Sequence, residues 1–396
     1  MRILVITNLY PPQELGGYGR CISDFVWGLL RLGHQVLVLA SNAEYLAEST
    51  NVGPNDEPVD RSLLLKGSFQ SGILLETNPS KISYIDRYNL GIISKFCRLG
   101  WDGCLLGNID LLGISVVDIL ASFKIPVLHH LGFVAPPFAA HEYPSYPLYS
   151  VAAASRCVRD SLLNKGIPLK SPLIIYPGVR DDKFFYSTSG LSSSIRHSLT
   201  LHESGFPLGS RSNPLLLGYA GLIMSSKGVH TLIQAAIQLR SLGYYFHVNV
   251  AGSTFQEDYQ EYLLSVLSAH SLLEDFFFVG QLSRDALIRF WSLQHLGVFP
   301  SIHPEAFGIS AAEIMCSGLL LCSTGVGGAS ELFTHGINGL KFVPDNAQSL
   351  VDLIVYVLDN PHVLKRLPVV GHSHVSANFS VKHSACQIQD YFLSFE

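Results

Sequence analysis

Short apolar runs alternate along the chain with longer segments in which apolar residues recur at helical spacing. "RILVIT" predicts a buried strand, and the apolar spacing from Ile22 to Leu30 predicts a helix that stops at Gly33. "QVLVLAS" predicts the next strand, whereas residues 48–62 are polar and turn-rich and are predicted to form a solvent-facing loop. This alternation is typical of βαβ units and predicts parallel sheets.

The alternation breaks once, near the middle of the chain. Before the break, "GCLLGN", "IPVLHH", "VAAAS" and "PLIIYPGV" predict strands, with a helix around 111–122 and another ending near Gly166. After it, "PLLLGYAG", "YFHVNVAG", "FFFVG", "LGVFPS", "GLLLCS" and "GLKFV" predict a second set of strands. A last helix is predicted at about 382–395, after a break at 371–380.

These two sets predict two doubly wound α/β domains. The first covers residues 1–186, the second covers 214–378, and 187–213, which lack a clear period, are predicted to be a linker with a short helix. Ligands of such sheets sit beyond the carboxyl ends of the strands. A cleft between two facing domains is therefore the expected site.

Composition narrows the function classes. The 396 residues are 48% hydrophobic and 14% charged, which fits large buried cores and excludes disorder. The net charge of −5 argues against nucleic acid as a partner. Seven cysteines without a C-x-x-C pair predict free thiols rather than a zinc site. No apolar run is long enough for a membrane span, and the N-terminus lacks a secretion signal, so a cytoplasmic location is expected.

Two glutamates border the loop "HPEAFGISAAE". Glu305 follows the predicted strand "LGVFPS", and Glu313 lies in the helix that is predicted from Ile309 to a stop at Gly318. Carboxylates can accept hydrogen bonds from neighbouring hydroxyls, as on a sugar or a ribose. Alone, the pair fits equally well a helix that carries one acid near its positive end and a second acid in the loop by chance.

The same loop offers backbone donors, and other loops add a cation and glycines. The N–H groups of Phe307, Gly308 and Ile309 stand at a helix N-terminus and suit an anion or hydroxyl oxygens. Lys227, just before another helix, can neutralise a diphosphate or be simply a solvated lysine. Glycines in "STGVGGASE" and "LYPPQELGGYGR" allow close backbone approach, although the latter fails the G-x-G-x-x-G spacing.

In combination, these motifs resemble one family along the full chain. The "PPQELGGYGR" loop, "GLIMSSKG", "VGQLS", "VFPSIHPEAFGISAAEIMCSG", "GVGGASE" and "GINGL" occur in the order found in retaining GT-B glycosyltransferases of glycosyltransferase family 4. The resemblance implies two Rossmann-like domains facing a central cleft. It also implies that the last helix, within 379–396, crosses back to complete the first, acceptor-binding domain.

The resemblance also implies residue roles. Glu313 would hold the ribose of a nucleoside-diphosphate sugar, Glu305 the hydroxyls of the donor sugar, and Lys227 the diphosphate. The backbone of 307–309 would line the donor sugar, and Gly16 with Gly17 would close over the phosphates. The donor is expected to be UDP- or GDP-linked. The reaction would transfer a hexose with retention, by front-face attack of the acceptor hydroxyl.

Three positions depart from the family pattern. Leu222 stands where the family has an arginine, so one diphosphate cation is missing. The family's catalytic histidine is out of register, which makes His129 and His130 candidates for the catalytic set with Glu305 and Lys227. A structural histidine at a strand end is an equal alternative. Arg180 replaces a common aspartate, without a consequence that follows from the sequence.

No D-x-D motif occurs, so neither a metal nor another cofactor is expected. The acceptor remains open between glycans, lipids and small molecules, as does the oligomeric state. Residues 87–101 mix basic and aromatic side chains and could touch the inner face of a membrane, although an ordinary packed helix is the simpler interpretation. A nucleotide-sugar epimerase of the same fold and a lapsed, non-catalytic scaffold are the alternative functions.

Overall fold

The computed structural model describes residues 1–70, 72–169, 173–184 and 193–395. Its backbone divides into two compact units, Met1–Gly178 with Val381–Glu396, and Val179–Ser380. Of the linker predicted over 187–213, residues 187–192 lie outside the described residues, and the remainder belongs to the second unit. Each unit is built around its own parallel sheet.

The first unit alternates strands and helices as the hydrophobic pattern predicts. In chain order its elements are β1 (Arg2–Ile6), α1 (Tyr18–Arg31), β2 (Gln35–Ser41), β3 (Val59–Leu63), β4 (Gly67–Ser68), β5 (Leu74–Leu75), α2 (Pro79–Cys97), β6 (Gly103–Leu106), α3 (Val116–Ser122), β7 (Val127–Leu131), β8 (Tyr149–Ala153), α4 (Arg156–Asn164) and β9 (Leu173–Ile174). Among the described residues, seven strands form a sheet in the order β3-β2-β1-β6-β7-β8-β9, and β4 pairs with β5 in a separate hairpin. The central strands are apolar and buried because helices cover both faces of a parallel sheet.

The second unit repeats this architecture. Its elements are α5 (Ser193–Glu203), β10 (Leu215–Ala220), α6 (Val229–Ser241), β11 (Phe246–Ala251), α7 (Glu257–Ala269), β12 (Phe276–Gly280), α8 (Arg284–Ser292), β13 (Leu296–Phe299), α9 (Ile309–Cys316), β14 (Leu320–Ser323), β15 (Leu340–Lys341), α10 (Ala347–Asp359) and α11 (Val363–Asn378). Within the described residues, the sheet order is β12-β11-β10-β13-β14-β15, all parallel. The helix predicted from Ile309 is confirmed, and Gly318 follows its end with φ of 62°.

Two sequence predictions about elements are wrong. The predicted loop over 48–62 contains the edge strand β3, whose pattern was obscured because Arg61 is buried in it. The Arg61 guanidinium donates to the carbonyls of Thr50 and Pro11, so its burial is compensated. The break predicted at 371–380 is occupied mostly by α11, which reaches Asn378.

The last helix, α12 (Val381–Leu393), belongs to the first unit. It packs on α1 and on the sheet so closely that the contacting positions of α1 and β6 must be glycine. A Cβ built on Gly28 of α1 would lie 2.4 Å from Cβ of Ala385, and one built on Gly103 of β6 would lie 2.3 Å from the Phe392 ring. The backbone of α1 and β6 therefore approaches α12 as closely as glycine allows.

This packing predicts opposite effects for two glycine-to-alanine changes. Gly28→Ala should destabilise the protein by about 1–3 kcal/mol, because the new methyl overlaps Ala385. The control, Gly91→Ala in α2, meets nothing within 4 Å and should stabilise by about 0.5–1 kcal/mol through helix propensity. Urea unfolding measures both. Stabilisation by Gly28→Ala would show that α12 does not pack as described.

Candidate functional site

In the second unit, the strand order reverses between β10 and β13. From β10 the sheet continues to β11 and β12, and from β13 it continues to β14 and β15. Connections that leave such neighbouring strands in opposite directions open a crevice at their carboxyl ends. The turn after β10 carries Lys227, the loop after β13 carries Glu305, and the loop after β14 carries Gly327. Lys227 and Glu305, 78 positions apart in the chain, therefore meet at the carboxyl ends of one sheet, and Glu305 pairs there with Gly327.

Glycines bring the backbones of these loops into close contact. At Gly252, where φ is 140°, an added Cβ would lie 1.8 Å from the carbonyl oxygen of Gly221. At Gly228, where φ is 72°, an added Cβ would lie 2.1 Å from the carbonyl oxygen of Pro300. Both positions require glycine. The 3₁₀ turn Ser225–Lys227 is thereby fixed against the loop that follows β13.

A tyrosine below the turn supports it from inside. The buried Tyr219 hydroxyl donates to the Leu222 carbonyl over 2.8 Å. Burial raises the pKa of Tyr219 well above its usual value, and the nearby charge of Glu305 raises it further. The hydroxyl therefore stays protonated and keeps its role as a donor. This residue could not be recognised from the sequence, because a tyrosine in an apolar strand gives no local signal.

The central contact of the site is an ion pair. Lys227 Nζ lies 2.7 Å from Oε1 of Glu305, and both side chains are partly buried. The Ser301 hydroxyl also donates to Oε1, and Ser301 is held in turn because its carbonyl accepts from the Thr324 hydroxyl at 2.7 Å. Oε2 of Glu305 makes no hydrogen bond to the described residues, and Lys227 has two further N–H donors. The pair thus retains free donors and a free acceptor.

The backbone of Glu305 is fixed by the loop after β14. Glu305 N donates to the Val326 carbonyl, and Gly328 N donates to the Glu305 carbonyl at 2.7 Å. Between them, Gly327 has φ of 64°, and an added Cβ would lie 2.4 Å from the Glu305 carbonyl oxygen. The close approach predicted for this glycine is therefore made to the backbone of Glu305.

Helix α9 begins four residues after Glu305. Gly308, with φ of 94°, precedes its first turn, whose N–H groups have no acceptor within the helix. The Phe307 ring is buried, with its centroid 5.8 Å from that of Phe379. Glu313 lies just over one turn into α9 and is only 3% exposed. Lys227, Glu305 and the start of α9 are thus brought together, and Glu313 lies on the same helix, buried.

Gly16 and Gly17 lie in the loop between β1 and α1 of the first unit. Gly16 has φ of 65°, and Gly17 precedes α1, where its carbonyl accepts from Cys21 N at 2.9 Å. The loop is anchored by the buried Gln13, whose amide donates to the Asn42 side chain at 2.9 Å. The role of the two glycines toward donor phosphates stays a prediction.

His129 and His130 both lie inside β7. His129 Nδ1 is 2.9 Å from the Tyr149 hydroxyl, and His130 Nε2 donates to the Ile175 carbonyl at 2.8 Å. Burial lowers the pKa of His129 to about 3, with a further contribution from the charge of His130, and burial lowers the pKa of His130 to about 4. Both rings are neutral at pH 7 and have structural partners. This geometry favours the structural alternative, and a catalytic role for either stays a prediction.

One cation at the same edge of the second unit was also missed. Lys341 ends β15, and its Cε lies 3.4 Å from a Cβ built on Gly325 in the loop after β14. It forms no ion pair with the described residues, and the residue is exposed. Lys341 therefore supplies a positive charge at the carboxyl ends of these strands that is not paired with a described residue. The arginine that the family has at position 222 is replaced by leucine.

A family profile matches most of the second unit, and a curated relative aligns with the whole chain. A family profile described as "Glycosyl transferases group 1" matches residues 203–368, which contain the whole of the site described in the second unit. The glycogen synthase of Mycobacterium tuberculosis (strain H37Rv) is 23% identical over 416 aligned residues, covering 100% of this chain and 95% of the relative. The chain belongs to the group 1 glycosyltransferases, glycosyltransferase family 4.

Solved structures share the fold of this glycosyltransferase. HepE of Anabaena, in complex with UDP-glucose, matches with a TM-score of 0.77 at 18% identity, covering 100% of both chains. Sucrose-phosphate synthase of Thermosynechococcus elongatus matches with a TM-score of 0.77 at 19% identity, covering 100% of this chain and 98% of the other. The predicted GT-B fold class is confirmed.

The family also establishes the activity. A group 1 glycosyltransferase moves a sugar from a nucleotide-sugar donor, and family 4 is a retaining family, so the predicted transferase function is confirmed. Within the described residues, no helix has the length and apolarity to cross a bilayer. The same residues contain no group of three or more His, Cys, Asp or Glu side chains arranged to hold a metal ion.

The buried His129 and His130 predict that the free energy of unfolding of this glycosyltransferase decreases at acidic pH. Their pKa values in the folded state lie below the unfolded value of about 6.5, so between about pH 4 and 6.5 the unfolded chain binds more protons. Stability should therefore fall with decreasing pH, by up to about 1.4 kcal/mol per pH unit for each histidine. His130→Gln should reduce this slope in urea unfolding. The control, His141→Gln at an exposed position, should not; equal slopes for all three proteins would contradict the assignment.

Proposed function

We propose that this glycosyltransferase transfers glucose from UDP-glucose and that the Lys227–Glu305 pair holds the donor in the second unit. The fold likeness to HepE, solved with UDP-glucose, supports the choice of donor. The observation that carries the proposal is the 2.7 Å contact between Lys227 and Glu305 at the strand-order reversal. A cation and a carboxylate with free hydrogen-bonding positions match a donor that has both phosphates and sugar hydroxyls.

Each part of the site has a distinct role in this proposal. Lys227 and the N-terminal end of α6 bind the diphosphate, because both present positive charge. Glu305 Oε2 and the backbone of 307–309 bind the glucose hydroxyls. Glu313 binds the ribose, whose two neighbouring hydroxyls suit a carboxylate.

Bond cleavage places negative charge on the departing diphosphate. Lys227 and the helix N-terminus stabilise that charge, which lowers the barrier only to the extent that they act more strongly on the transition state than on the bound donor. The pairing with Glu305 holds Lys227 in place before the donor arrives, so less reorganisation accompanies the reaction. The acceptor hydroxyl attacks on the face from which the diphosphate leaves, and the released phosphate takes its proton.

Donor binding gives a direct test. UDP and UDP-glucose should each raise the melting temperature of the parent protein, because a ligand that binds only the folded state stabilises it. Lys227→Ala should weaken UDP binding at least about tenfold, equivalent to about 1.4 kcal/mol. Glu313→Gln should weaken both ligands. Glu305→Gln should weaken UDP-glucose more than UDP, because only UDP-glucose carries the sugar that Glu305 binds.

The chain offers a matched control for this test. Lys365 and Glu203 form another Lys–Glu ion pair of the second unit, at 3.0 Å, but on the surface. Lys365→Ala and Glu203→Gln should leave both thermal shifts unchanged. A larger shift with ADP- or GDP-glucose than with UDP-glucose would overturn the donor base. Equal weakening of UDP and UDP-glucose by Glu305→Gln would remove the sugar-binding role from Glu305.

We also propose that the outer face of α2 lets this enzyme rest on an anionic membrane. The inner face packs as an ordinary helix, but the outer face exposes Arg87 and Lys95, followed by Arg98 just beyond the helix, beside two stacked tyrosines, Tyr84 and Tyr88. Tyr84 is 60% and Tyr88 38% exposed, so both rings are accessible to a partner surface. Basic and aromatic side chains together suit the headgroup region of a bilayer.

Vesicle co-sedimentation checks this surface. The parent protein should pellet with vesicles of phosphatidylcholine and phosphatidylglycerol at 3:1 and stay in solution with phosphatidylcholine alone. The triple variant Arg87→Glu, Lys95→Glu, Arg98→Glu should lose at least about tenfold in binding, since each basic residue near such a surface contributes about 1 kcal/mol. Equal pelleting of both proteins, or none of the parent, would contradict the proposal.

A further inference from the structure

Two buried hydroxyl groups lie beneath Glu305 in the second unit. Ser301, in the loop after β13, is 1% exposed, and Thr324, directly after β14, is fully buried. The Ser301 hydroxyl donates to Oε1 of Glu305, and the Thr324 hydroxyl donates to the Ser301 carbonyl at 2.7 Å. Two hydrogen bonds therefore link the end of β14 to the carboxylate through Ser301.

The sheet itself holds both residues in place. The strands β13 and β14 pair as far as Phe299 and Ser323, and Thr324 N donates to the Phe299 carbonyl at 3.2 Å. Thr324 is thus one residue beyond the paired strands, and Ser301 is two residues beyond them. A serine hydroxyl is placed by a single side-chain torsion, so it has few alternative positions once the backbone is fixed. The fold therefore sets the direction in which Ser301 donates.

The two donors to Oε1 differ in what else they can bind. The long side chain of Lys227 is 27% exposed, and its ammonium group has two further N–H donors. A diphosphate would compete with Glu305 for that positive charge. Ser301 is enclosed and gives its one hydroxyl proton to Oε1, so a ligand cannot compete for it. Ser301 can hold Glu305 in the same orientation with and without a bound donor.

This orientation decides which carboxylate oxygen is offered to a ligand. Oε1 accepts from Lys227 and Ser301, which leaves Oε2 as the acceptor. The Glu305 backbone is fixed by hydrogen bonds with Val326 and Gly328, but its side chain has three torsions and can adopt other rotamers. Without Ser301, Lys227 alone would hold the carboxylate, and a diphosphate that draws Lys227 away would release it.

We propose that Ser301, supported by Thr324, is a positioning residue that keeps Glu305 oriented toward the donor sugar while Lys227 binds the diphosphate. The inference rests on the proposed function, in which Glu305 binds the glucose hydroxyls. Lys227 acts on the phosphates, which UDP and UDP-glucose share, whereas Ser301 acts only on the part of binding that comes from glucose. Discrimination between the nucleotide sugar and the free nucleotide therefore depends on a buried hydroxyl that touches neither.

Calorimetric titration with UDP and UDP-glucose tests this role. The quantity compared is the ratio of the Kd for UDP-glucose to the Kd for UDP, because weaker phosphate binding raises both constants and cancels in the ratio. Ser301→Ala should raise the ratio about tenfold, as expected for one lost hydrogen bond to a charged group. Thr324→Val lacks the hydroxyl and should raise the ratio about threefold, whereas Thr324→Ser keeps the hydroxyl and should retain the parent ratio.

A double-mutant cycle shows whether Ser301 acts through Glu305. In a Glu305→Ala background, Ser301→Ala should leave the ratio unchanged, because the carboxylate that Ser301 positions is already absent. A serine that only stabilises the loop would have the same effect on the ratio in both backgrounds. Equal effects of Ser301→Ala with and without the Glu305 carboxylate would therefore overturn the inference.

The first unit offers a matched control. Ser384 is also 1% exposed, and its hydroxyl donates to the Tyr176 carbonyl at 2.7 Å. Ser384→Ala should lower the melting temperature, as Ser301→Ala does, without changing the ratio. A parent ratio in Ser301→Ala, with UDP-glucose bound by the parent protein, would overturn this inference alone. Failure of the parent protein to bind UDP-glucose would overturn the donor proposal, and the inference with it.

Discussion

Close backbone contact between loops is the constraint on which the second unit depends. The ion pair of Lys227 and Glu305 joins side chains 78 residues apart in the chain, and neither would be held without the glycines around it. Gly228 lets the lysine turn press against the loop after β13, and Gly327 lets the loop after β14 press against the glutamate backbone. These contacts keep the two charges paired in the absence of a ligand, as the role in electrostatic stabilisation proposed for them requires.

Much of this architecture could be predicted from the sequence because the signals are local. Continuous apolar runs marked β1, β10 and β13, and the helical pattern from Ile309 to Gly318 marked α9. The ordered motifs were enough to identify the family. Glu305 and Lys227 could be proposed as site residues because each stands in a loop between a strand and a helix, although their mutual contact could not be seen.

The features that were missed depend on contacts distant in sequence. Edge strand β3 could not be predicted because it contains the charged Arg61. The carbonyls that accept hydrogen bonds from the Arg61 guanidinium come close to it only in the folded chain. The course of α11 through Gly371 was hidden because that glycine looks like a helix breaker. In the structure it lies against the Asn338 carbonyl, where an added Cβ would come within 2.8 Å. Tyr219 and Lys341 lacked any local motif.

Helix α12 gives the first unit a discontinuous sequence, with consequences for synthesis. Residues 1–178 leave the ribosome long before α12, whereas the second unit is one uninterrupted segment. Until α12 arrives, the surface around Gly28 and Gly103 has no cover, and apolar atoms that end up beneath Ala385 and Phe392 face water. The first unit is therefore most prone to aggregation before α12 has been synthesised. Chaperones that bind exposed apolar surface would bind it at that stage.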